Sequence, residues 1–198
     1  MSYCETLCCA GICNITNNTK CATCRLGKLN IVLDLDETLI HATHLNFGNA
    51  FCKFEIYNIY KRPHLDKFLA IVFEKYNVYI WTAACKSYAK YVIKHLLKPK
   101  QILKRLLTKK DCIIQKERSG LYFCQDIIKK KPLGKLGCNL ARTVLIDDVK
   151  TSFVLDPLNG ILIPEFNNPN KDNESLLDIL KILDILSDLD DVRSFIPK

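Results

Sequence analysis

An apolar run that ends in acidic side chains constrains the fold of this chain more than any other feature. Residues 29–35 are almost entirely apolar, and Asp34 and Asp36 stand at the end of the run. An apolar run without polar alternation is typical of a strand that is buried on both faces, as in a parallel sheet. Residues 143–148 repeat this pattern. The sequence therefore predicts two buried parallel strands, each followed by acids.

Strand-like and helix-like segments alternate along the rest of the chain, which predicts an α/β fold. We expect a Rossmann-like, doubly wound parallel sheet in three layers, with a small β insertion. The predicted elements are a β-hairpin over 51–60, a helix from Pro63 to 73, a strand over 76–81, a helix over 87–97, short strands at 112–114 and 121–124, a last strand over 161–163 and a helix over 174–189.

Length and composition suit one compact domain. The chain has 198 residues, of which 48% are hydrophobic and 25% charged, as in soluble globular proteins. We divide it into a Cys-rich N-terminal segment, residues 1–27, and a folded domain, residues 28–198. Apolar runs stay well below the roughly 20 residues that cross a bilayer, and residues 1–5 do not resemble a secretory signal. We therefore expect an intracellular location.

The formal net charge of +8 leaves two interpretations open. Lysine clusters such as residues 109–110 and 129–131 are typical of a solvated surface. They would equally attract an anionic partner, such as a phosphorylated peptide, a nucleic acid or an acidic membrane surface. Charge alone does not choose among these partners.

The acids at the two strand ends predict a metal site. Ligands of open α/β sheets bind outside the carboxyl ends of the strands. If the two strands are neighbours, Asp34, Asp36, Asp147 and Asp148 converge, and such a concentration of negative charge requires a cation. Carboxylate oxygens select Mg²⁺, which also binds substrate phosphate. The alternative is that Asp34 and Asp36 are ordinary strand-end turn residues.

The same residues carry a family resemblance. Residues 34–39 read D-L-D-E-T-L, which resembles the D-x-D-x-T/V signature of phosphatases of the haloacid dehalogenase superfamily. More narrowly, the chain resembles the RNA polymerase II C-terminal-domain (CTD) phosphatase family, including the small CTD phosphatases. The resemblance covers residues 28–198 in order. Its further blocks are Arg62-Pro63 with Phe68-Leu69, residues 79–84 followed by Tyr88-Ala89, residues 131–134, residues 144–148 and residues 191–194.

The resemblance implies a role for each matching residue. Asp34 would attack phosphorus and form an aspartyl-phosphate, and Asp36 would serve as general acid and then general base. Thr82 would hydrogen-bond a phosphoryl oxygen, and Lys131 would neutralise charge on the phosphoryl group. Mg²⁺ would be held by the Asp34 carboxylate, the Asp36 backbone carbonyl and Asp148, with Asp147 in support.

The family lysine has two candidates. Residues 123–127 resemble one form of the motif but place Gln125 where the cation should be. An ungapped count back from residues 136–137 and the acidic strand places Lys131 on the family lysine. We therefore predict Lys131, with a solvated lysine in a basic run as the alternative.

The short stretches between the motifs leave room for only a small cap, and an open cleft favours a macromolecular phosphate. The resemblance implies a protein serine/threonine phosphatase, with the RNA polymerase II tail as one substrate. Two alternatives are a nucleic-acid 3′-phosphatase and a catalytically silent phosphoprotein-binding module. The Lys-, Ile- and Asn-rich composition also resembles large-DNA-virus members of the family, which would place the protein in the nucleus or cytoplasm of a host cell.

The N-terminal segment carries six of the eleven cysteines. Their spacings permit a four-thiolate Zn²⁺ site with Cys21 and Cys24 as one half. Some small CTD phosphatases carry an N-terminal Cys-Cys that resembles Cys8-Cys9, which implies S-acylation as an alternative. A third interpretation is that these thiols have no defined role. The six are Cys4, Cys8, Cys9, Cys13, Cys21 and Cys24.

Overall fold

The computed structural model of this protein describes residues 26–119, 124–171 and 174–195. The α-helices described there are α1 (Leu65–Lys75), α2 (Lys86–Leu96) and α3 (Ser175–Ser187). The strands are β1 (Asn30–Leu33), β2 (Ile40–Thr43), β3 (Cys52–Phe54), β4 (Tyr57–Lys61), β5 (Asn77–Trp81), β6 (Arg105–Leu107), β7 (Ile113–Ser119), β8 (Cys124–Lys130), β9 (Thr143–Asp147) and β10 (Gly160–Leu162).

Five of the described strands form a parallel sheet in the order β10-β9-β1-β5-β6. β1 lies in the middle and pairs in parallel with β5 on one side and β9 on the other. All five residues of β9 are buried, as its unbroken apolar sequence predicts. The sheet confirms the predicted α/β fold and brings the two acidic strand ends side by side.

The two faces of this sheet are covered by different kinds of structure. One face carries Ile31, Leu33 and the matching residues of β5 and β9, and it packs against the apolar sides of all three described helices. The opposite face carries Val32, Trp81 and Leu145, which pack against Leu133 and Phe153. Leu133 and Phe153 come from short 3₁₀ turns, Leu133–Leu136 and Lys150–Phe153. The second face is therefore closed by turns rather than by long helices.

The turn Lys150–Phe153 depends on a close approach to Gly160. The ring of Phe153 occupies the space that a Cβ atom at Gly160 would need, with three ring carbons inside contact distance. Phe153 is buried, so its ring has little room to move aside. A side chain at position 160 would therefore displace this turn.

Two antiparallel units accompany the central sheet. The predicted hairpin over 51–60 is confirmed as β3 and β4, and β2 extends it to a three-stranded sheet. β7 and β8 form a second hairpin with seven paired residues on each strand. The sequence pattern predicted only short strands in that second region, and residues 120–123 lie outside the described part.

The structure differs from the sequence prediction at three further elements. The helix predicted from Pro63 begins two residues later, because His64 adopts a left-handed conformation with φ 64° and cannot belong to it. The predicted last strand over 161–163 begins at Gly160 and ends at Leu162. β6 is a short edge strand that starts at the basic residue Arg105, and it was not predicted from the sequence.

Predictions for the N-terminal segment concern residues outside the described part. All six cysteines assigned to zinc binding or acylation fall within residues 1–25, and no finding supports a zinc site there. Among the described residues, helices long and apolar enough to cross a membrane are absent.

Candidate active site

The predicted site residues meet at the carboxyl edge of the parallel sheet. Asp34 follows β1, Thr82 follows β5 and Asp147 ends β9. From β1 the chain continues to β5 and β6 on one side of the sheet, whereas β9 and β10 lie on the other side. The carboxyl ends of β1 and β9 therefore form a topological switch point, the usual place for ligands in open α/β sheets. A cleft of about 270 Å³ opens there. Its lining includes Asp34, Asp36, Glu37, Thr82, Lys129, Lys131, Asp147, Asp148, Thr151 and Ser152.

A tight loop after β1 places the first pair of acids. The backbone N–H groups of Leu39 and Ile40 both donate to the carbonyl of Leu35, at 2.9 and 3.1 Å. Glu37 turns the chain with a left-handed φ of 60°. Asp34 extends the pairing of β1 by donating its N–H to Ile146 at 3.0 Å, so its position is fixed by the sheet. Asp36 directly precedes Glu37, the residue at the bend, and it lines the cleft.

Three carboxylates form a cluster in the cleft. Asp34, Asp147 and Asp148 each offer an oxygen, and these oxygens lie within 4.8 Å of one another. Asp34 and Asp147 are almost fully buried, with 6% and 1% of their surface exposed, and Asp148 is half-buried. We call these three residues the carboxylate cluster. The carboxylate of Asp36 faces other partners, described below.

Lys131 supplies the positive charge inside this cluster. Its ammonium contacts Asp34 Oδ1 and lies 2.6 Å from Asp147 Oδ2, and its side chain is buried. Its backbone N–H donates to the carbonyl of Ser152 at 2.7 Å, which ties the residue to the turn Lys150–Phe153. The rival candidate Gln125 pairs with Arg118 within the β7–β8 hairpin. The structure thus brings Lys131 to the acids.

The charges of the cluster perturb one another. Burial raises the pKa of Asp34 above its usual range, against the opposing effect of the Lys131 ammonium. Burial acts to lower the pKa of Lys131, but the carboxylates of Asp34 and Asp147 outweigh it and raise that pKa. Lys131 is therefore a permanent cation in the site. Asp34 needs further positive charge to be fully ionised at neutral pH.

The donor set fits a divalent cation. Three carboxylates and one ammonium leave two negative charges in a nearly buried space, which a doubly charged ion would neutralise. Oxygen ligands suit Mg²⁺, which keeps several waters and needs few protein ligands. The cluster differs in one respect from the implied ligand set, because Asp147, implied only in support, also offers a carboxylate oxygen to the group.

Asp36 is held by two hydroxyl groups. Thr82 Oγ1 donates to Asp36 Oδ2 at 3.2 Å, and the Tyr88 hydroxyl donates to Asp36 Oδ1 at 2.5 Å. Thr82 also accepts the Ala84 N–H at 3.0 Å, which fixes its side chain. Burial raises the pKa of Asp36, while the hydrogen bonds from Tyr88 and Thr82 act in the opposite direction. The carboxyl group is thus oriented by the segment that follows β5.

A second hydroxyl contact joins the two acidic strand ends. Thr38 Oγ1 donates to Asp148 Oδ1 at 2.8 Å and accepts the Asp148 N–H at 3.2 Å. Thr38 is fully buried, so its end of this pair of bonds is shielded from solvent. The threonine of the D-x-D-x-T pattern therefore orients an acid more than a hundred residues away in sequence.

Thr38 and Tyr88 contact site residues, and neither contact was predicted from the sequence. Both stood in quoted motif blocks, which was the only signal for them. Their partners, Asp148 and Asp36, lie on other elements, so contact required the fold to be known.

A central parallel sheet with clustered aspartates and a lysine at its carboxyl edge is the architecture of the haloacid dehalogenase class. The solved structure of the fission yeast RNA polymerase II CTD phosphatase Fcp1, bound to beryllium fluoride, is similar to the chain with a TM-score of 0.52. The likeness covers 82% of this chain and 51% of that one at 22% sequence identity, so it concerns the fold.

Sequence comparison narrows the class to a family. Residues 29–193 match the family described as NLI interacting factor-like phosphatase, and the chain belongs to that family. A probable C-terminal domain small phosphatase of Dictyostelium discoideum is 33% identical over 176 residues, covering 85% of this chain and 54% of that protein. The human CTD small phosphatase-like protein is 30% identical over 178 residues, covering 86% and 60%. The chain thus spans little more than half the length of these two relatives.

Proposed function

We propose that this chain is a Mg²⁺-dependent phosphatase of phosphoserine and phosphothreonine in proteins, acting through an aspartyl-phosphate on Asp34. One observation carries the proposal: the buried ammonium of Lys131 bridges Asp34 and Asp147 at the carboxyl edge of the sheet. A buried lysine between two aspartates has little value for stability alone. It has a clear use where a phosphoryl group must approach a carboxylate nucleophile.

In the first half of the reaction, an Asp34 carboxylate oxygen attacks phosphorus in line with the leaving seryl or threonyl oxygen. The new phosphorus–oxygen bond forms on Asp34 while the bond to the substrate oxygen breaks. Asp36 gives its proton to that leaving oxygen, so an alcohol departs. The Lys131 ammonium, already at Asp34 Oδ1, stabilises the charge on the transferring group.

In the second half, Asp36 is a carboxylate and takes a proton from a water that attacks the aspartyl-phosphate. Inorganic phosphate leaves and Asp34 is regenerated, so the proton given in the first half is recovered. Thr82 lines the cleft beside Asp36. We propose that its hydroxyl turns from Asp36 Oδ2 to a phosphoryl oxygen when the substrate binds.

Asp34, Asp148 and the Asp36 backbone carbonyl would hold Mg²⁺, with Asp147 in support. The bound ion would neutralise phosphate charge and keep Asp34 ionised. Asp148 is prepared for this role, because Thr38 fixes its carboxylate orientation at 2.8 Å.

The form of the cleft supports a macromolecular substrate. The cleft opens at the carboxyl edge of the parallel sheet, and Lys129 of β8 adds a positive charge to its lining. The names of two mammalian relatives include RNA polymerase II, so we propose its tail as one candidate substrate, with a nuclear or cytoplasmic location.

The proposal is tested by turnover of an aryl phosphate with Mg²⁺ and with EDTA. We expect activity only with the metal, and Asp34→Asn should lower kcat/KM by at least about 10³-fold, since the nucleophile is removed. Asp178→Asn is the matched control, because it neutralises an exposed aspartate of α3. An Asp34→Asn protein as active as the Asp178→Asn protein would contradict the mechanism.

A second measurement tests the substrate class. A phosphoserine peptide and a 3′-phosphorylated oligonucleotide are offered to the wild-type protein at equal concentrations. We expect the peptide to be hydrolysed faster. Preference for the oligonucleotide would support a nucleic-acid 3′-phosphatase. Binding of the peptide without turnover of any ester would support a silent module.

A further inference from the structure

The hydroxyl of Tyr88 has a specific partner that the proposed mechanism does not explain. It donates to Asp36 Oδ1 at 2.5 Å, a length typical of a strong hydrogen bond between a hydroxyl and a carboxylate. The Tyr88 side chain is 9% exposed, so the bond forms with little access of water. The contact joins helix α2 to the loop after β1, 52 residues apart in sequence.

The ring of Tyr88 is held in one position. It lies in the first turn of α2 and packs edge-on against Phe54 of β3, with ring centroids 5.3 Å apart and an interplanar angle of 79°. Edge-to-face aromatic pairs are a favoured geometry and resist rotation of either ring. The hydroxyl therefore reaches Asp36 from a fixed point.

The two oxygens of Asp36 differ in their surroundings. Oδ2 accepts a longer bond, 3.2 Å, from Thr82, which lines the cleft. Oδ1 accepts the short bond from Tyr88, which is not among the residues that line the cleft. An oxygen already accepting a short hydrogen bond is the poorer place for the carboxyl proton. The proton of the acid form then belongs on Oδ2, on the side of the substrate.

We propose that Tyr88 is a positioning residue for Asp36: its hydroxyl holds Oδ1 so that the proton for the leaving oxygen is carried on Oδ2, facing the cleft. This inference rests on the proposed function of Asp36 as general acid. As the phosphorus–oxygen bond to the substrate breaks, the proton moves from Asp36 Oδ2 to the leaving oxygen. The carboxylate that remains keeps the hydrogen bond from Tyr88, which stabilises its new charge.

The alternative is that Tyr88 is a core aromatic residue whose hydroxyl merely satisfies a nearby acceptor. The two roles differ in their dependence on the leaving group. A positioning role affects only esters whose leaving oxygen needs a proton, such as phosphoserine. A packing role affects every substrate alike, since it acts through the fold.

The test compares Tyr88→Phe with Tyr91→Phe. Tyr91 lies one turn further along α2, packs on the same Phe54 ring at 5.1 Å, and donates its hydroxyl to the Lys53 carbonyl at 2.6 Å. Each variant removes one hydroxyl and keeps one ring, but only Tyr88 touches Asp36. The substrates are a phosphoserine peptide, with an alkoxide leaving group, and p-nitrophenyl phosphate, whose leaving group needs little protonation. kcat/KM is compared because it reports the step that forms the aspartyl-phosphate.

We expect Tyr88→Phe to lower kcat/KM for the phosphoserine peptide by about 10-fold, part of the roughly 10²–10⁴-fold that a general acid contributes. Its kcat/KM for p-nitrophenyl phosphate should stay within about twofold of wild type, and Tyr91→Phe should leave both values unchanged. Phe54→Leu removes the supporting ring but keeps the Tyr88 hydroxyl. It should lower kcat/KM for the phosphoserine peptide by a smaller factor and leave kcat/KM for p-nitrophenyl phosphate nearly unchanged.

Each other outcome contradicts either the positioning role of Tyr88 or the proposed phosphatase function. Equal losses on both esters would show that Tyr88 acts through packing, and an unchanged peptide rate would show that its hydroxyl is not used. Either result overturns the positioning role while the phosphatase proposal stands. A wild-type protein inactive on both esters in Mg²⁺ would instead overturn the proposed function, and the positioning role with it.

Discussion

The two acidic strand ends of the central sheet use their carboxylates differently. At the end of β9, the consecutive residues Asp147 and Asp148 both join the carboxylate cluster. At the end of β1, the acids separate: Asp34 joins the cluster, while the Asp36 carboxylate is bonded by Thr82 and Tyr88. One strand end thus concentrates negative charge, and the other divides it between two environments.

The difference shows how four similar side chains can serve separate purposes. A carboxylate that binds a cation should stay ionised, whereas a general acid must hold a proton and release it. Partners decide which of these an aspartate does. Asp34 and Asp147 face an ammonium, and Asp36 faces hydroxyl groups that tolerate either protonation state. Residues two apart on an extended backbone share a face, so the separation after β1 comes from the hydroxyl partners of Asp36 rather than from the spacing.

The largest expected effect comes from Lys131→Met. This change leaves Asp34 and Asp147 buried without their cation, which should lower the free energy of unfolding by about 3–5 kcal/mol in EDTA. Urea unfolding measures the change. Lys130→Met is the matched control, because Lys130 precedes Lys131 in the same lysine run and donates to the exposed Gln115 side chain at 2.6 Å.

Addition of Mg²⁺ should restore part of the stability of the Lys131→Met protein, since the ion replaces some of the missing positive charge. If the Lys131→Met and Lys130→Met proteins unfold at the same urea concentration, the cluster does not depend on Lys131. The distinction between the two strand ends would then lose its physical basis.

A second prediction sets Asp148→Asn against Asp36→Asn. Loss of the Asp148 charge should weaken Mg²⁺ binding by about 100-fold, the upper range for changes around a metal site. Loss of the Asp36 charge should leave Mg²⁺ binding nearly unchanged, because its carboxylate lies outside the cluster. Calorimetric titration of Mg²⁺ measures both. Equal weakening by the two substitutions would mean that all four acids form one site.

The smallest expected effect concerns Thr38→Val, which removes the hydroxyl that orients Asp148 but keeps the shape of the side chain. We expect about a 10-fold loss of Mg²⁺ affinity, as for other residues that support a metal ligand. Thr43→Val is the control, since the Thr43 hydroxyl only accepts the Leu45 N–H in an exposed turn. Unaltered affinity in Thr38→Val would show that Asp148 needs no such support.

Much of the central sheet could be predicted from the sequence, because residues 29–35 and 143–148 are buried on both sides and read as continuous apolar runs. The acids that follow these runs were predicted to meet, and the parallel register of β1 and β9 brings them together. Lys131 was predicted from its distance to the acidic strand, and the structure puts its ammonium between Asp34 and Asp147, while its role stays a prediction. Strong burial and fixed spacing are signals that a single sequence carries well.

Other features could not be predicted, because they depend on contacts between distant elements. β6 is an edge strand with a basic residue at its start, so it lacks a continuous apolar pattern. The bond from Tyr88 to Asp36 requires the direction of α2 relative to β1. Thr82 was predicted to face phosphate, and its hydroxyl instead donates to Asp36 in this structure.

The contact between Phe153 and Gly160 links evolutionary change at the sheet edge to the chemistry of the cleft. The carbonyl of Ser152, next to Phe153, accepts the backbone N–H of Lys131. The turn Lys150–Phe153, which can pack closely only because residue 160 is glycine, therefore also holds Lys131 in place. A descendant of this chain could replace Gly160 only if Phe153 became smaller in the same lineage. The two positions should therefore change together among related proteins, although neither one touches phosphate.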